Sequence, residues 1–121
     1  MGSYENLDIW KIAIDYGERI RVLLRGYPKE ERLEICSQLR NSSESVSSNI
    51  SEGHKRKSRK EFLYFLNVAL ASLGESNSQL FLSKRVGYIS EEEYKKLRWT
   101  VIKLDKKIRG YIKYIEGGGS W

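Results

Sequence analysis

NISEGHKRKSRKEF, residues 49–62, lies between two long amphipathic patterns and divides the chain at its most polar point. Glu52 falls in what should be the last turn of a helix, where cations are normally favoured. Gly53 follows it and is a natural left-handed C-cap. Six of the seven positions 54–60 then carry a basic or potentially basic residue. The Glu52 carboxylate, in this unfavourable position, predicts a dedicated partner. The basic run is either a solvated loop, with His54 as a junction residue, or a contact for a polyanion.

The charge of the chain is unevenly distributed. Residues 1–53 contain 7 Lys and Arg against 9 Asp and Glu, a net charge of −2. Residues 54–121 contain 15 against 7, a net charge of +8, which gives +6 for the whole chain. Such asymmetry favours a polyanionic partner, of which nucleic acid is the commonest. A membrane partner is not expected, because no isolated amphipathic anchor segment is present.

Cysteine usage, length and hydropathy indicate a single cytoplasmic domain. The chain has 121 residues and one cysteine, Cys36, which cannot form an internal disulfide. Cys36 is in register with Leu33 and Leu39, so we expect it in the core rather than as a nucleophile. The sequence has no apolar run of membrane-spanning length and no signal-peptide pattern. The termini, 1–3 and 117–121, are expected to be disordered or vector-derived.

Apolar residues recur at intervals of three and four in four segments, which predicts four helices. Their expected ranges are about 7–27, 29–52, 58–86 and 90–115. Asn6 is the expected N-cap of the first helix, and Pro28 should end it. Ser58 and Ser90 each precede a glutamate by three residues, which predicts a capping box at both helix starts. Four long helices with short connections indicate an all-α, antiparallel up-down four-helix bundle.

The third and fourth helical patterns have surfaces that a small bundle does not require. The first half of the third, from Phe62 to Leu73, is apolar nearly all round. A helix of that kind is buried on more than one side, which predicts self-association. The fourth has a regular apolar seam, and its lysines lie away from that seam as a basic ridge.

Residue patterns of catalytic and metal-binding bundles are absent from the sequence. A di-iron bundle needs Glu-x-x-His pairs, but the only histidine, His54, has Ser51 three positions before it. One Cys and one His exclude structural zinc, and no Gly-rich phosphate loop is present. We therefore expect no catalytic residues, no metal and no cofactor. Glu52 and Glu75, with Gln38 and Asn49, are instead predicted to form a buried or half-buried polar network that fixes helix register.

A set of residues spread along the chain matches a known family pattern. The set comprises Tyr4–Leu7, Trp10, Ala13, Tyr27-Pro28, Glu31, Leu33, Gln38–Arg40, Ser45-Val46, Asn49-Ile50, Glu52-Gly53, Arg56, Ser58, Glu61-Phe62, Phe65-Leu66, Ala69, Ser72-Leu73, Glu75 and Gln79-Leu80. Over about residues 4–115 the chain resembles the 23S rRNA intervening-sequence protein family. It departs from the family pattern at Asn41, Ser42, Ser43, Ser51 and Ser76, where a basic residue, three alanines and a leucine are usual.

The resemblance implies a four-helix bundle that assembles into a ring, commonly a homopentamer, without established enzymatic activity. Related proteins are accessory factors of diversity-generating retroelements, and they bind nucleic acid and a reverse transcriptase. A similar role is therefore an expectation for this chain.

Two function hypotheses follow. The first is a non-enzymatic oligomeric scaffold that binds RNA or DNA through Lys55, Arg56, Lys57, Arg59, Lys60, Arg98, Lys103, Lys106 and Arg109. Contacts of this kind are made to phosphates, so binding should depend on shape and steeply on salt. The second is a protein–protein assembly factor, in which apolar helix faces bind the partner and the lysines provide solubility.

Overall fold

The computed structural model describes residues 3–121, and its regular structure in that range is entirely helical. Two short 3-10 helices, Tyr4–Asn6 and Lys29–Glu31, accompany four α-helices. The α-helices are α1 Asp8–Leu24, α2 Ile35–His54, α3 Arg59–Arg85 and α4 Glu91–Glu116. Each helix packs against the next one in the chain, and α1 also contacts α4. The predicted all-α four-helix bundle is confirmed.

The serine caps of α3 and α4 lie where the sequence predicts them. Ser90 accepts the Glu93 N–H at 3.0 Å, and the Glu93 carboxylate accepts the Ser90 N–H at 2.9 Å, which completes a capping box. Ser58 accepts the Glu61 N–H at 3.3 Å. The Glu61 carboxylate lies instead 3.7 Å from the Arg56 guanidinium. The α3 cap is therefore only half of the predicted box.

The start of α2 differs most from the predicted helix ranges. Pro28 leads into the 3-10 turn, and Glu34 has a non-helical backbone with φ −117° and ψ −94°. Because α2 begins only at Ile35, Leu33 lies outside the apolar stripe and is 92% exposed. Cys36 is buried as predicted, and burial raises the pKa of its thiol.

The ends of α1 also differ from the predicted range. Asn6 belongs to the first 3-10 helix, so Leu7 occupies the N-cap position and makes no side-chain capping bond. At the other end α1 stops at Leu24, and a turn leads to the buried Tyr27.

Hydroxyl groups on facing helices set the register of the first three helices. Three pairs cross between helices: Tyr16–Ser76 at 2.7 Å, Ser42–Gln79 at 2.7 Å and Ser45–Ser72 at 2.9 Å. Tyr16 and Ser76 are completely buried. Because a buried hydroxyl without a partner is costly, sliding one helix along another would break these bonds at a loss of stability.

In a single chain, α3 is less enclosed than its composition predicts. Phe62, Leu66 and Leu73 are buried, and Leu63 and Leu70 are half-buried. Several large apolar side chains on α3 and at its C-terminal end remain exposed: Tyr64, Phe81, Leu82 and Val86. Self-association remains a prediction.

Two further observations hold for residues 3–121. None of the helices is long and apolar enough to cross a bilayer. No three His, Cys, Asp or Glu side chains come together in a way that could hold a metal ion.

Candidate nucleic-acid interface

The end of α2 and the start of α3 approach each other closely at Gly53. A Cβ atom on Gly53 would lie 2.7 Å from the Cβ of Phe65 and 2.8 Å from the Cδ1 of Phe62. Any side chain at this position would therefore push the helices apart. The predicted left-handed C-cap role of Gly53 is wrong, because α2 continues through it to His54 and its φ is not positive. The glycine is required for space rather than for backbone conformation.

Arg56 is the dedicated partner of Glu52. Its guanidinium lies 2.8 Å from the Glu52 carboxylate, 3.7 Å from the Glu61 carboxylate and 5.0 Å from the centre of the Phe65 ring. The Arg56 charge is thus compensated by two acids of its own corner. Arg56 fixes the α2–α3 connection and is the least available of the candidate cations for an external phosphate.

A cleft of about 590 Å³ opens at this corner, between the α2–α3 connection, the N-terminal 3-10 helix and the C-terminal segment. Its lining combines four cationic side chains with three aromatic rings and two serines: Lys55, Arg56, Lys57, Arg59, Tyr4, His54, Trp121, Ser3 and Ser120. We call this site the corner cleft. Four of the nine predicted nucleic-acid-binding residues meet in it.

The rings of the corner cleft are fixed by neighbouring groups. His54 lies edge-on to Phe62, with the ring centres 5.8 Å apart, and to Tyr4 at 6.5 Å. Desolvation lowers the pKa of His54 below its ordinary value of 6.5, so the imidazole is mainly neutral at pH 7. Lys55 places its ammonium 5.6 Å from the centre of the Tyr4 ring.

The C-terminal segment, expected to be disordered or vector-derived, lies against the bundle and forms one wall of the cleft. The Tyr114 hydroxyl donates to the Ser120 carbonyl at 2.9 Å, and Gly118 turns the chain with φ +101°. The Trp121 indole N–H donates to the Arg56 carbonyl at 3.3 Å, and its ring centre lies 5.3 Å from that of Phe62. Residues 1 and 2 of the other expected disordered segment lie outside the described residues.

Arg59 connects this segment to the basic run. Its guanidinium donates to the Gly119 carbonyl at 3.4 Å and lies 5.6 Å from the centre of the Trp121 ring. Sequence reasoning missed Trp121, because a Gly-Gly-Gly-Ser run before it reads as a flexible end. The large aromatic residue after that run was the available signal.

The other five candidate cations lie outside the corner cleft. Lys60 is exposed in the first turn of α3. The remaining four are exposed along α4: Arg98, Lys103, Lys106 and Arg109. Arg109 pairs with Asp105 at 3.0 Å, whereas Lys60, Lys103 and Lys106 form no ion pair within residues 3–121.

Trp99 is a second aromatic residue that sequence reasoning missed. It lies on α4 between these cations and is 69% exposed. Its position outside the apolar seam of α4 was the sequence signal that could have identified it.

The predicted polar network is not formed, because the hydrogen bonds of Asn49 and Glu52 go to other residues, Ser45 and Arg56. Gln38 and Glu75 are exposed to solvent. Asn49 donates to the carbonyl and hydroxyl of Ser45 in its own helix, at 2.7 and 2.8 Å. Glu52 is bound in the ion pair described above. The function predicted for this network is performed by the serine pairs between the helices.

Comparisons with known proteins identify a family and a solved structure that match most of the bundle. A family model described as 23S rRNA-intervening sequence protein matches residues 5–110. A crystal structure from Bacteroides thetaiotaomicron, described as a protein with unknown function from the S23 ribosomal protein family, is similar with a TM-score of 0.81. It is 26% identical, and the match covers 87% of this chain and 95% of that chain. No curated protein matches the chain.

Proposed function

Because the chain belongs to the 23S rRNA-intervening sequence protein family, we propose that it is a non-enzymatic oligomeric scaffold that binds RNA or DNA. The corner cleft and the basic residues beside it are the proposed contact surface. The observation that carries the proposal is the concentration of four cations and three aromatic rings around one cleft of about 590 Å³.

The supply of uncompensated charge at this corner supports phosphate binding. Glu52 and Glu61 both lie against Arg56. Lys57 and Lys60 are exposed and form no ion pair within the described part of the chain. Cations of this kind release the counterions of a nucleic acid on binding, and they fix position without reading sequence.

Self-association is part of the proposal, since several copies of one weak contact surface would bind a long polyanion with high avidity. Tyr64 and Leu82 support it, because they project from the same outer side of α3 and are 63% and 52% exposed. A pentameric ring and a reverse transcriptase partner remain expectations from the family resemblance.

The proposal is tested by fluorescence anisotropy with labelled RNA and DNA hairpins at about 50 mM and about 200 mM salt. We expect binding at low salt that weakens by at least about 10-fold at high salt, since several phosphate contacts are broken. The double variant Lys57→Glu/Lys60→Glu should bind at least about 10-fold more weakly than the wild type.

Lys29→Glu/Arg32→Glu is the matched control, because it makes the same charge change at exposed positions in the α1–α2 connection. It should retain most of the affinity. Absence of binding by the wild type at low salt would remove the proposal, and equal losses in both variants would show that net charge alone is responsible.

A protein–protein assembly factor is the second candidate, favoured by the exposed Tyr64 and Leu82. It predicts that Tyr64→Ser/Leu82→Ser lowers the mass of the assembly measured by light scattering, while the lysine reversals leave it unchanged. If the wild-type protein also binds neither the RNA nor the DNA hairpin, the assembly function replaces nucleic-acid binding.

A further inference from the structure

We propose that the corner cleft holds a single unpaired nucleotide, with its base against the aromatic rings and its phosphate on the surrounding cations. The protein would then bind nucleic acid preferentially where a base is outside the helical stack, at a bulge, loop or frayed end. This inference rests on the proposed nucleic-acid binding and adds the class of structure that is recognised.

The dimensions of the corner cleft suit one nucleotide and exclude a duplex. Its volume is about 590 Å³, within the range of about 300–1,000 Å³ that is typical of sites for small molecules. A base pair within a duplex presents only its edges in the grooves, so its faces cannot contact rings inside a cleft. Enzymes and RNA-binding modules that read a base by its face or its pairing edge take it from a single strand or rotate it out of the stack.

The rings offer a base an ordered surface. Trp121 is held by its hydrogen bond to the Arg56 carbonyl and by its contact with Phe62. It is half-buried, so part of its surface remains accessible at the cleft. Stacking on an aromatic ring is available to every base, because each has a π-face. The cleft should therefore distinguish a base from no base more strongly than one base from another.

The cations of the cleft are placed for the phosphate of the same nucleotide. Lys57 and Arg59 flank Ser58, the N-cap of α3, so they lie where the backbone N–H groups of the first turn leave a partial positive charge. Lys55 lies on the Tyr4 side of the cleft. Groups suited to a phosphate and groups suited to a base thus line the same cleft. A basic loop that served only solubility would not require the aromatic rings.

The test compares three RNA duplexes of one sequence: fully paired, with one bulged nucleotide, and with the same bulge as an abasic residue. The bulged and abasic duplexes carry the same phosphates, so their ratio of affinities isolates the base. We expect the wild type to bind the bulged duplex about 10-fold more tightly than the abasic one. Trp121→Ala should reduce that ratio to near one, and Trp121→Phe should restore most of it.

Trp99→Ala is the control, because it removes an exposed ring on α4 and should preserve the ratio. A wild-type ratio near one with intact duplex binding would overturn the inference and leave the proposed function standing. Failure to bind any of the three duplexes and either the RNA or the DNA hairpin at low salt would overturn both the inference and the proposed function. Loss of the ratio in Trp99→Ala but not in Trp121→Ala would place the base on α4 and overturn the assignment to the cleft.

Discussion

The chain reverses direction at two short connections that are built differently. Residues 55–58 connect α2 to α3, and residues 86–90 connect α3 to α4. At the α3–α4 corner Gly87 adopts φ +87°, and the Tyr88 N–H donates to the Ser83 carbonyl at 2.9 Å. Ile89 is buried, and Ser90 completes a capping box. This corner caps the end of α3 with backbone hydrogen bonds and the start of α4 with a side-chain box, as a structural turn should.

The two corners also use their cations differently. At the α3–α4 corner Lys84 lies 4.5 and 4.8 Å from the Phe81 and Tyr94 rings and 3.3 Å from the Glu91 carboxylate. At the α2–α3 corner only Arg56 is compensated in this way by acids. The additional cations and the cleft of the α2–α3 corner exceed what a chain reversal requires. The difference therefore separates a connection that stabilises the fold from one available to bind a partner.

The largest expected effect is on the close helix approach that distinguishes the α2–α3 corner. Gly53→Ala should lower the free energy of unfolding by about 1–3 kcal/mol, because the new methyl group meets the immobile Cβ of Phe65. Alanine normally stabilises a helix relative to glycine, so the sign of the change is diagnostic. Urea denaturation would measure it.

Gly74→Ala is the matched control for this substitution. Gly74 lies within α3, and an added Cβ would have no atom within 4 Å other than its two chain neighbours and the adjacent backbone of its own helix. Alanine there should stabilise the protein by about 0.5–1 kcal/mol. Stabilisation by both substitutions would contradict the close approach at Gly53.

A smaller effect should distinguish the two serine caps. Ser90→Ala should reduce stability by about 1 kcal/mol, since it removes the hydroxyl that accepts the Glu93 N–H at 3.0 Å and so breaks the reciprocal box. Ser58→Ala should reduce it by less, because the bond that it removes is longer, at 3.3 Å, and has no reciprocal bond from the Glu61 carboxylate, which lies at Arg56. Denaturation curves of the two single variants provide the comparison. An equal or larger loss for Ser58→Ala would mean that the α2–α3 corner depends on its cap as much as the other corner does.

Local patterns predicted the four helices and both serine caps, because helix periodicity and capping involve residues a few positions apart. The predicted start of α2 was wrong because Pro28 permits either an α-helix or a 3-10 turn after it, and only the fold decides between them. The same limit applies to Gly53, whose role depends on the position of Phe65 in another helix.

Within the candidate site, sequence reasoning identified the basic run but not the cleft. The cleft depends on Tyr4 and Trp121, which lie near opposite ends of the chain and meet His54 only after folding. The prediction of a polar network was wrong for a related reason. Composition shows that polar groups fall on helix faces, but pairs such as Tyr16 with Ser76 depend on the final rotation of each helix.

The smallest expected effect is a pH dependence confined to the α2–α3 corner, which contains the only histidine of the chain. Burial lowers the pKa of His54 in the folded protein, so the unfolded chain binds a proton more readily. The contribution of His54 is therefore fully present above its unfolded pKa of about 6.5 and is lost as the pH falls through that value towards the folded pKa. Wild type should lose slightly more stability than His54→Asn between pH 7 and pH 5, as measured by urea denaturation at each pH. Carboxylates titrate in both proteins, so the difference between the two curves isolates the imidazole, and parallel curves would show that folding does not desolvate it.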